Sequence, residues 1–421
     1  MIVLISRRGR LFLRALIIII AVRTAGLSDA MAEKPSAITL NTAIETALLQ
    51  RPEPEAFSKD ILAAKGRVTQ SATLPNPELG LETSSLGDED SVVVSQAFEF
   101  ARKRAARVKA AEAEIPLVEN DRLRTRLDII NEVSQAFITL LGAQEKGLLV
   151  QAAYDTAQQF AATVTERAAS GAISPIEETR AKVLLAGALT DLARAGRELE
   201  NARLALAAAM GTPEARFTAV EGRIPTEPTL PDKSALVAAA GLNPDLTRWK
   251  LERDRRSAIV ESELAAATPD ITFSGKLSVD RKNDETAFIA GLSIPLPLFN
   301  QNLGGIMEAR AELDRSAYGA RSEELRVRSE IEKRHAALQA LAAEAGIVRD
   351  RMLSFAQQAY DAVSEGYRLG KFRYLDVLDA TKELTGAKLR HLDLLISFEL
   401  EKIAMNRLVT PPQDRFKGES K

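Results

Sequence analysis

The hydrophobic pattern of the chain changes period, and it does so twice. In "ITFSGKLSVD" (271 to 280), Ile271, Phe273, Leu277 and Val279 alternate with Thr272, Ser274, Lys276 and Ser278. "TAFIAGLSIPL" (286 to 296) continues with Phe288, Ala290, Leu292 and Ile294 on one parity. Period two over about ten residues predicts a β-hairpin with one apolar and one polar side, and "RKNDE" (281 to 285) is its tip. Such a pair suits a membrane-crossing strand with a lipid side and a wet side, or an amphipathic hairpin on a soluble core. The flanking stretches have the other period. From about Ala101 to Ala169, and from about Asn300 to Arg368, apolar residues recur at three and four, as in Val133, Phe137, Leu140, Leu141 and Leu148. Pro116 is the one proline in these runs. Each run would reach about 100 Å as a helix. Narrow apolar stripes require such helices to pack on other long helices. Shorter return helices are expected over 175 to 210 and 375 to 409.

These elements come in two copies. "GAISPIEETRAKVLL" (171 to 185) is echoed 199 positions later by "GKFRYLDVLDATKEL" (370 to 384), which sets Gly171 under Gly370, Glu177 under Asp376 and Ala181 under Ala380. "PEPE" (52 to 55) answers "NPDL" (243 to 246), and "NPEL" (76 to 79) answers "TPDI" (268 to 271). Order and spacing are both kept. The organisation read from this is a first repeat over 33 to 211, a linker over 212 to 235, a second repeat over 236 to 410 and a tail over 411 to 421. The Pro-rich linker region is expected to lie along the outside of the helices. Four strands per chain cannot close a barrel, and an open sheet in lipid leaves unpaired edges. Three chains supply twelve strands. The arithmetic predicts a homotrimer whose strands cross the outer membrane and whose helices form a tube into the periplasm.

Gly171 and Gly370 suit the left-handed turn that a helix hairpin requires. Just beyond the second, Asp376 and Asp379 share one helix face, where like charges repel. Acidic residues are also welcome in a first helical turn, against the positive end of the macrodipole. Local structure and function are both open readings of this pair.

Composition narrows the class. Fifty-six basic against 58 acidic residues leave a net charge of −2, so no basic excess points to nucleic acid. There is no cysteine, which excludes disulfides, thiolate metal sites and lipid attachment to a mature N-terminal Cys. Residues 1 to 32 read as a secretory signal peptide: Arg7, Arg8, Arg10 and Arg14 precede "ALIIIIAV", and "AMA" ends at Ala32. That apolar run is too short for a membrane span, which needs about 20 residues. No later segment reaches 18 apolar residues, so any membrane entry is by strands. His335 and His391 are far apart, each inside a helix, and no cluster exists to hold a metal or cofactor firmly. "EGYRLGK" (365 to 371) lacks the spacing of a phosphate loop, and Trp249 is read as a packing residue. The mixed-charge run "RSEELRVRSEIEKRH" (321 to 335) reads as a solvated helix face. No nucleophile with its base is recognisable, so an enzyme is not expected.

The residues resemble the TolC-type outer membrane efflux proteins, and within them the CzcC-like heavy-metal subgroup. The most specific stretches are "GLSIPLPLFNQNLGGIMEARAEL" (291 to 313) and "GYRLGKFRYLDVLDATKEL" (366 to 384). "ITLNTAIETALLQRPEPE" (38 to 55) is similar to the family's first helix, with "RPEPE" where "NPEL" is commoner. The resemblance implies a mainly α chain with a small β part, a trimeric helical barrel continued by a 12-stranded transmembrane β-barrel. It also implies a periplasmic adaptor and an inner-membrane RND pump as partners, outer membrane lipid around the strands, and passive conduction of divalent heavy-metal cations. A drug-efflux or type I secretion duct of the same fold, and a periplasmic coiled coil without a pore, are the alternatives. Carried over by residue, the resemblance makes Asp376 and Asp379 two carboxylate rings at the narrowest point, and links Tyr367 to Glu177 by a hydrogen bond. Gly171, Ile173, Ser174, Gly370, Lys371, Phe372 and Arg373 become adaptor contacts. Phe372 stands where some relatives carry an arginine that helps lock the closed state, so that role is not carried over.

Overall fold

The computed structural model describes residues 37 to 83 and 89 to 409. The signal-peptide reading, the start of the first repeat and the tail over 411 to 421 fall outside these residues. The first half runs α1 (Leu40–Gln50), α2 (Glu53–Ser71), β1 (Glu78–Thr83), β2 (Glu89–Phe98), α3 (Lys103–Glu112), α4 (Ile115–Ala169) and α5 (Pro175–Ala209). The second runs α6 (Lys233–Ala240), α7 (Pro244–Ala266), β3 (Ile271–Asp280), β4 (Glu285–Ser293), α8 (Leu303–Ile347), a π-helical segment (Val348–Leu353), α9 (Ser354–Arg368) and α10 (Tyr374–Val409). Element order therefore repeats, as the sequence pattern predicts.

The four strands form one antiparallel sheet in chain order. Register puts Leu81, Val92, Leu277 and Phe288 in one row across the strands, and Gly80, Val93, Lys276 and Ile289 in the next. Because side chains alternate between faces, the rows sort the sheet into two chemistries. One face carries Leu79, Leu81, Val92, Val94, Phe273, Leu277, Phe288 and Leu292, all exposed. The other carries Glu82, Ser91, Lys276 and Ser278 beside Val93 and Ile289, and Lys276 Nζ lies 3.0 Å from Glu82 Oε2. Asp280 closes the β3–β4 turn by accepting from the Lys282 and Asn283 amides at 2.8 and 3.2 Å. Strand β4 stops at Ser293, short of the expected 296, because Pro295 and Pro297 have no N–H to give a ladder. The outer edges of β1 and β4 have no partner strand among the described residues.

The two long runs are less uniform than their periodicity predicts. The first breaks between α3 and α4, and Pro116 sits inside the first turn of α4, where a missing N–H costs nothing. Ala101 and Arg102, at φ of 53° and 59°, form the turn from β2 into α3. The second run begins at Leu303 because Asn302 takes φ 55°, and it then continues unbroken through the π segment to Arg368. Val133, Phe137, Leu140 and Leu141 are buried as expected, with α1, α5, α10 and the linker packed on them. Leu148 is 73% exposed. The buried stripe of α4 runs through Leu141 and Gly142 and resumes at Val150, passing Leu148 by.

The linker lies against α4. Phe217, Val220 and Ile224 are buried, and the Gln144 side chain brackets Val220, donating to its carbonyl at 3.1 Å and accepting from its amide at 2.8 Å. Trp249 of α7 packs over Gly319 of α8, where a Cβ would collide with the indole. Among the described residues no helix is long and apolar enough to cross a membrane.

Candidate functional site

The two helix hairpins, α4–α5 and α9–α10, end at the same place. Phe160, Ala161 and Val164 of α4 are buried with Ala181 of α5 and Leu378 of α10, and Ile173, Tyr374 and Leu375 pack on them. One apolar plug thus ties the two turns together. Burial of the Tyr374 hydroxyl raises its pKa further above the ordinary tyrosine value.

Both turns use one backbone solution. After α4, Gly171 stands at φ 76°, its amide donates to the Ala168 carbonyl at 3.0 Å, and the Ala172 amide donates to Arg167 at 2.9 Å. After α9, Gly370 stands at φ 73°, its amide donates to Tyr367 at 3.0 Å, and the Lys371 amide donates to Gly366 at 2.8 Å. These paired bonds are a Schellman stop, and the left-handed residue at its centre favours glycine.

The restart differs. Ser174 caps α5 with its own hydroxyl, which accepts from the Ile176 amide at 3.4 Å. Arg373, at the same place before α10, has no oxygen to offer. Asp376 reaches back instead, and its Oδ2 accepts from the Arg373 amide at 2.8 Å while Oδ1 lies 3.3 Å from the guanidinium. This is the backward half of a capping box. One carboxylate of the pair is therefore committed to the helix start. Asp379, one turn on, is exposed, and its carboxylate makes no hydrogen bond or ion pair among the described residues. It borders a groove of about 500 Å³ between α4, α5 and α10, shared with Lys382, Asp191, Arg194 and Glu198.

Tyr367 and Glu177 do not form the expected hydrogen bond within this chain. The Tyr367 ring is held between the Arg167 guanidinium, 5.6 Å from its centroid, and the Tyr374 ring at 5.2 Å. Glu177 occupies the first turn of α5. Phe372 folds back over Gly366, where a Cβ would strike its ring. Gly171, Ser174, Gly370, Lys371 and Arg373 are exposed around the turns, Ile173 is half-buried, and Phe372 keeps 46% of its surface exposed. No group of three or more His, Cys, Asp or Glu capable of holding a metal occurs among the described residues.

Sequence reasoning missed a second polar site, away from the tips. Asp245, 8% exposed, is ringed by arginines: Arg124 at 2.9 Å, Arg407 at 3.4 Å and Arg326 at 3.8 Å. Asn243 beside it caps α7 through its oxygen and donates its amide to the Leu408 carbonyl at 2.6 Å. The repeat of "NPDL" was visible, but partners 81 to 162 positions away were not.

The model of the family described as outer membrane efflux protein matches residues 43–212 and 235–408. The cobalt-zinc-cadmium resistance protein CzcC of Cupriavidus metallidurans is 30% identical over 366 residues, 86% of this chain and 88% of that one. The nickel and cobalt resistance protein CnrC of the same organism is 22% identical over 72% of this chain and 73% of its own. The crystal structure of the outer membrane protein VceC of Vibrio cholerae shares the fold, with a TM-score of 0.72 at 22% identity over 88% of this chain and 95% of that one. Two matched repeats, a relative at this identity over most of both chains and a common fold agree: the chain belongs to the outer membrane efflux protein family.

Proposed function

We propose that this chain is the outer membrane duct of a tripartite efflux system, conducting divalent heavy-metal cations passively from a periplasmic adaptor and inner-membrane RND pump to the outside. The observation that carries it is the sheet. Its apolar face is bare from Leu79 to Leu292, and its two edges are open. Exposed apolar area costs about 25 cal/mol per Å² in water, and an open edge in lipid leaves backbone groups without partners. Three chains closing a twelve-stranded barrel, apolar side to lipid and polar side to the pore, remove both costs. The metal-resistance relatives favour cations as cargo over the drug or secretion alternative.

The tips are then the periplasmic end. Asp379, unpaired and exposed, forms a ring of three carboxylates at the constriction, which favours cations. Asp376 contributes a second ring whose charge is partly spent on Arg373. Gly171, Ile173, Ser174, Gly370, Lys371, Phe372 and Arg373 present the surface an adaptor meets. Tyr367, packed between Arg167 of one hairpin and Tyr374 of the other, and Glu177 belong with the two aspartates to the periplasmic gate of the trimer.

The test is reconstitution. The purified protein should migrate as a heat-resistant trimer in detergent and open cation-preferring conductances in planar bilayers. A water-soluble protein that leaves the bilayer silent would refute the duct and favour the pore-free coiled coil.

A further inference from the structure

The apolar face does not end where the sheet ends. Ile294, Leu296 and Leu298 continue the parity of Phe288 and Leu292 beyond the last strand residue, and Phe299 follows. Leu296 is 74% exposed, Leu298 71% and Phe299 100%. Yet the segment is tethered at both ends. Ser293 pairs with Thr272, and the Asn302 side-chain amide donates to the Glu263 carbonyl at 2.9 Å. A tethered run of large apolar side chains left mostly exposed marks a contact surface.

Two strands away, β2 ends in the same manner. Phe98 pairs with Ile271 at this end of the sheet, and Phe100 prolongs its parity and stays exposed. The turn at Ala101 and Arg102 then begins a basic cluster. Lys103 is matched by Asp270 at 2.7 Å, and Arg107 by Glu99 at 2.5 Å. Arg102 and Arg104 are exposed and have no carboxylate partner among the described residues. The second half has Asn300, Gln301 and Asn302 in this region, so the basic cluster belongs to the first half alone.

We propose that this end of the sheet binds anionic phospholipid of the periplasm-facing leaflet: acyl chains lie on Leu296, Leu298 and Phe299, and headgroup phosphates pair with Arg102 and Arg104. The inference rests on the reading above that the sheet stands in the outer membrane. Interfacial aromatic side chains with adjacent arginines match the boundary between hydrocarbon and headgroup, and a planar guanidinium takes a phosphate in bidentate fashion. Continuity with the lipid-facing strands places acyl chains, and charge complementarity chooses the headgroup. This surface fixes the depth of the barrel in the leaflet.

The test uses the full-length mature protein carrying Trp249→Phe, with one new tryptophan at Phe299→Trp or at Phe288→Trp on the strand face. Each is reconstituted in phosphatidylcholine vesicles containing increasing fractions of brominated phosphatidylglycerol or brominated phosphatidylcholine. Tryptophan at 299 should be quenched, and at a lower fraction of phosphatidylglycerol than of phosphatidylcholine. Arg102→Gln and Arg104→Gln should each erode that preference by about fivefold. Equal quenching by the two lipids overturns the headgroup site. Quenching at 288 with none at 299 overturns the whole inference and leaves the membrane reading standing. Quenching at neither position overturns both.

Discussion

The two halves of the chain build the same corner with different side chains. At the start of α2, Arg51 donates to the Ala209 carbonyl at the end of α5, at 3.3 Å. At the start of α7, Asn243 donates to the Leu408 carbonyl at the end of α10, at 2.6 Å. Ala209 and Leu408 are 199 positions apart, the same offset as the tip glycines. "RPEPE" thus replaces the commoner asparagine without losing its bond, and the charge it imports is matched by Glu53 and Glu132, each at 2.6 Å. The same division holds at the tips, where Ser174 caps directly and Arg373 relies on Asp376. What the repeat preserves is the demand of the backbone: a carbonyl to be satisfied, an amide to be capped, a left-handed residue to turn on. The side chain that meets the demand is free to change, and the change decides which charges remain available. In the second tip it leaves Asp379 as the uncommitted carboxylate.

The largest test of this comparison lies at the corners. Asp245→Ala removes the carboxylate shared by Arg124, Arg407 and Arg326, although Asp128 still holds Arg407 at 2.6 Å, and should cost about 2 kcal/mol in denaturant unfolding. Glu53→Ala should cost about 1 kcal/mol, because Glu132 still holds Arg51. Equal losses would mean that the two corners are not equivalent solutions with different reserves. Next, Gly366→Ala should cost about 2 kcal/mol by driving out Phe372 and be largely reversed by Phe372→Ala. Arg167→Ala, at the matching position of the first tip, should be nearly silent in the same unfolding assay. At the restarts, Ser174→Ala and Asp376→Ala should each cost about 1 kcal/mol. Arg373→Ser should recover most of the second loss and none of the first. The smallest effect is a pH dependence confined to the second half, where His391 stands at the position matched by Leu192. Burial, with Arg349 nearby, lowers the His391 pKa, and its Nε2 is buried without a partner. The unfolded chain then binds the proton more readily, so stability is full above the unfolded pKa of about 6.5 and falls as pH drops below it. His391→Leu should flatten the thermal midpoint between pH 7 and pH 5.5.

Much of this was legible in the sequence where one period dominates. The alternation in "ITFSGKLSVD" gave both the strand and its two faces, and Gly171 and Gly370 marked the turns, because each signal is local. The breaks were not legible. The stop between α3 and α4, the π segment and the left-handed Asn302 depend on what packs alongside. Leu148 follows the stripe in sequence but loses its partners in space. Asp376 and Asp379 looked alike because their spacing is symmetric, and only the position of the Arg373 amide separates them. The arginines around Asp245 come from α4, α8 and α10, whose alignment no local pattern encodes.

The central claim, that Asp379 is the free carboxylate of a cation constriction, is tested most directly by single-channel conductance in planar bilayers with and without millimolar divalent cations. Asp379→Ala should abolish block by divalents, whereas Asp376→Ala should retain most of it. Equal block in wild type and Asp379→Ala would contradict the claim and reduce both aspartates to parts of a helix start.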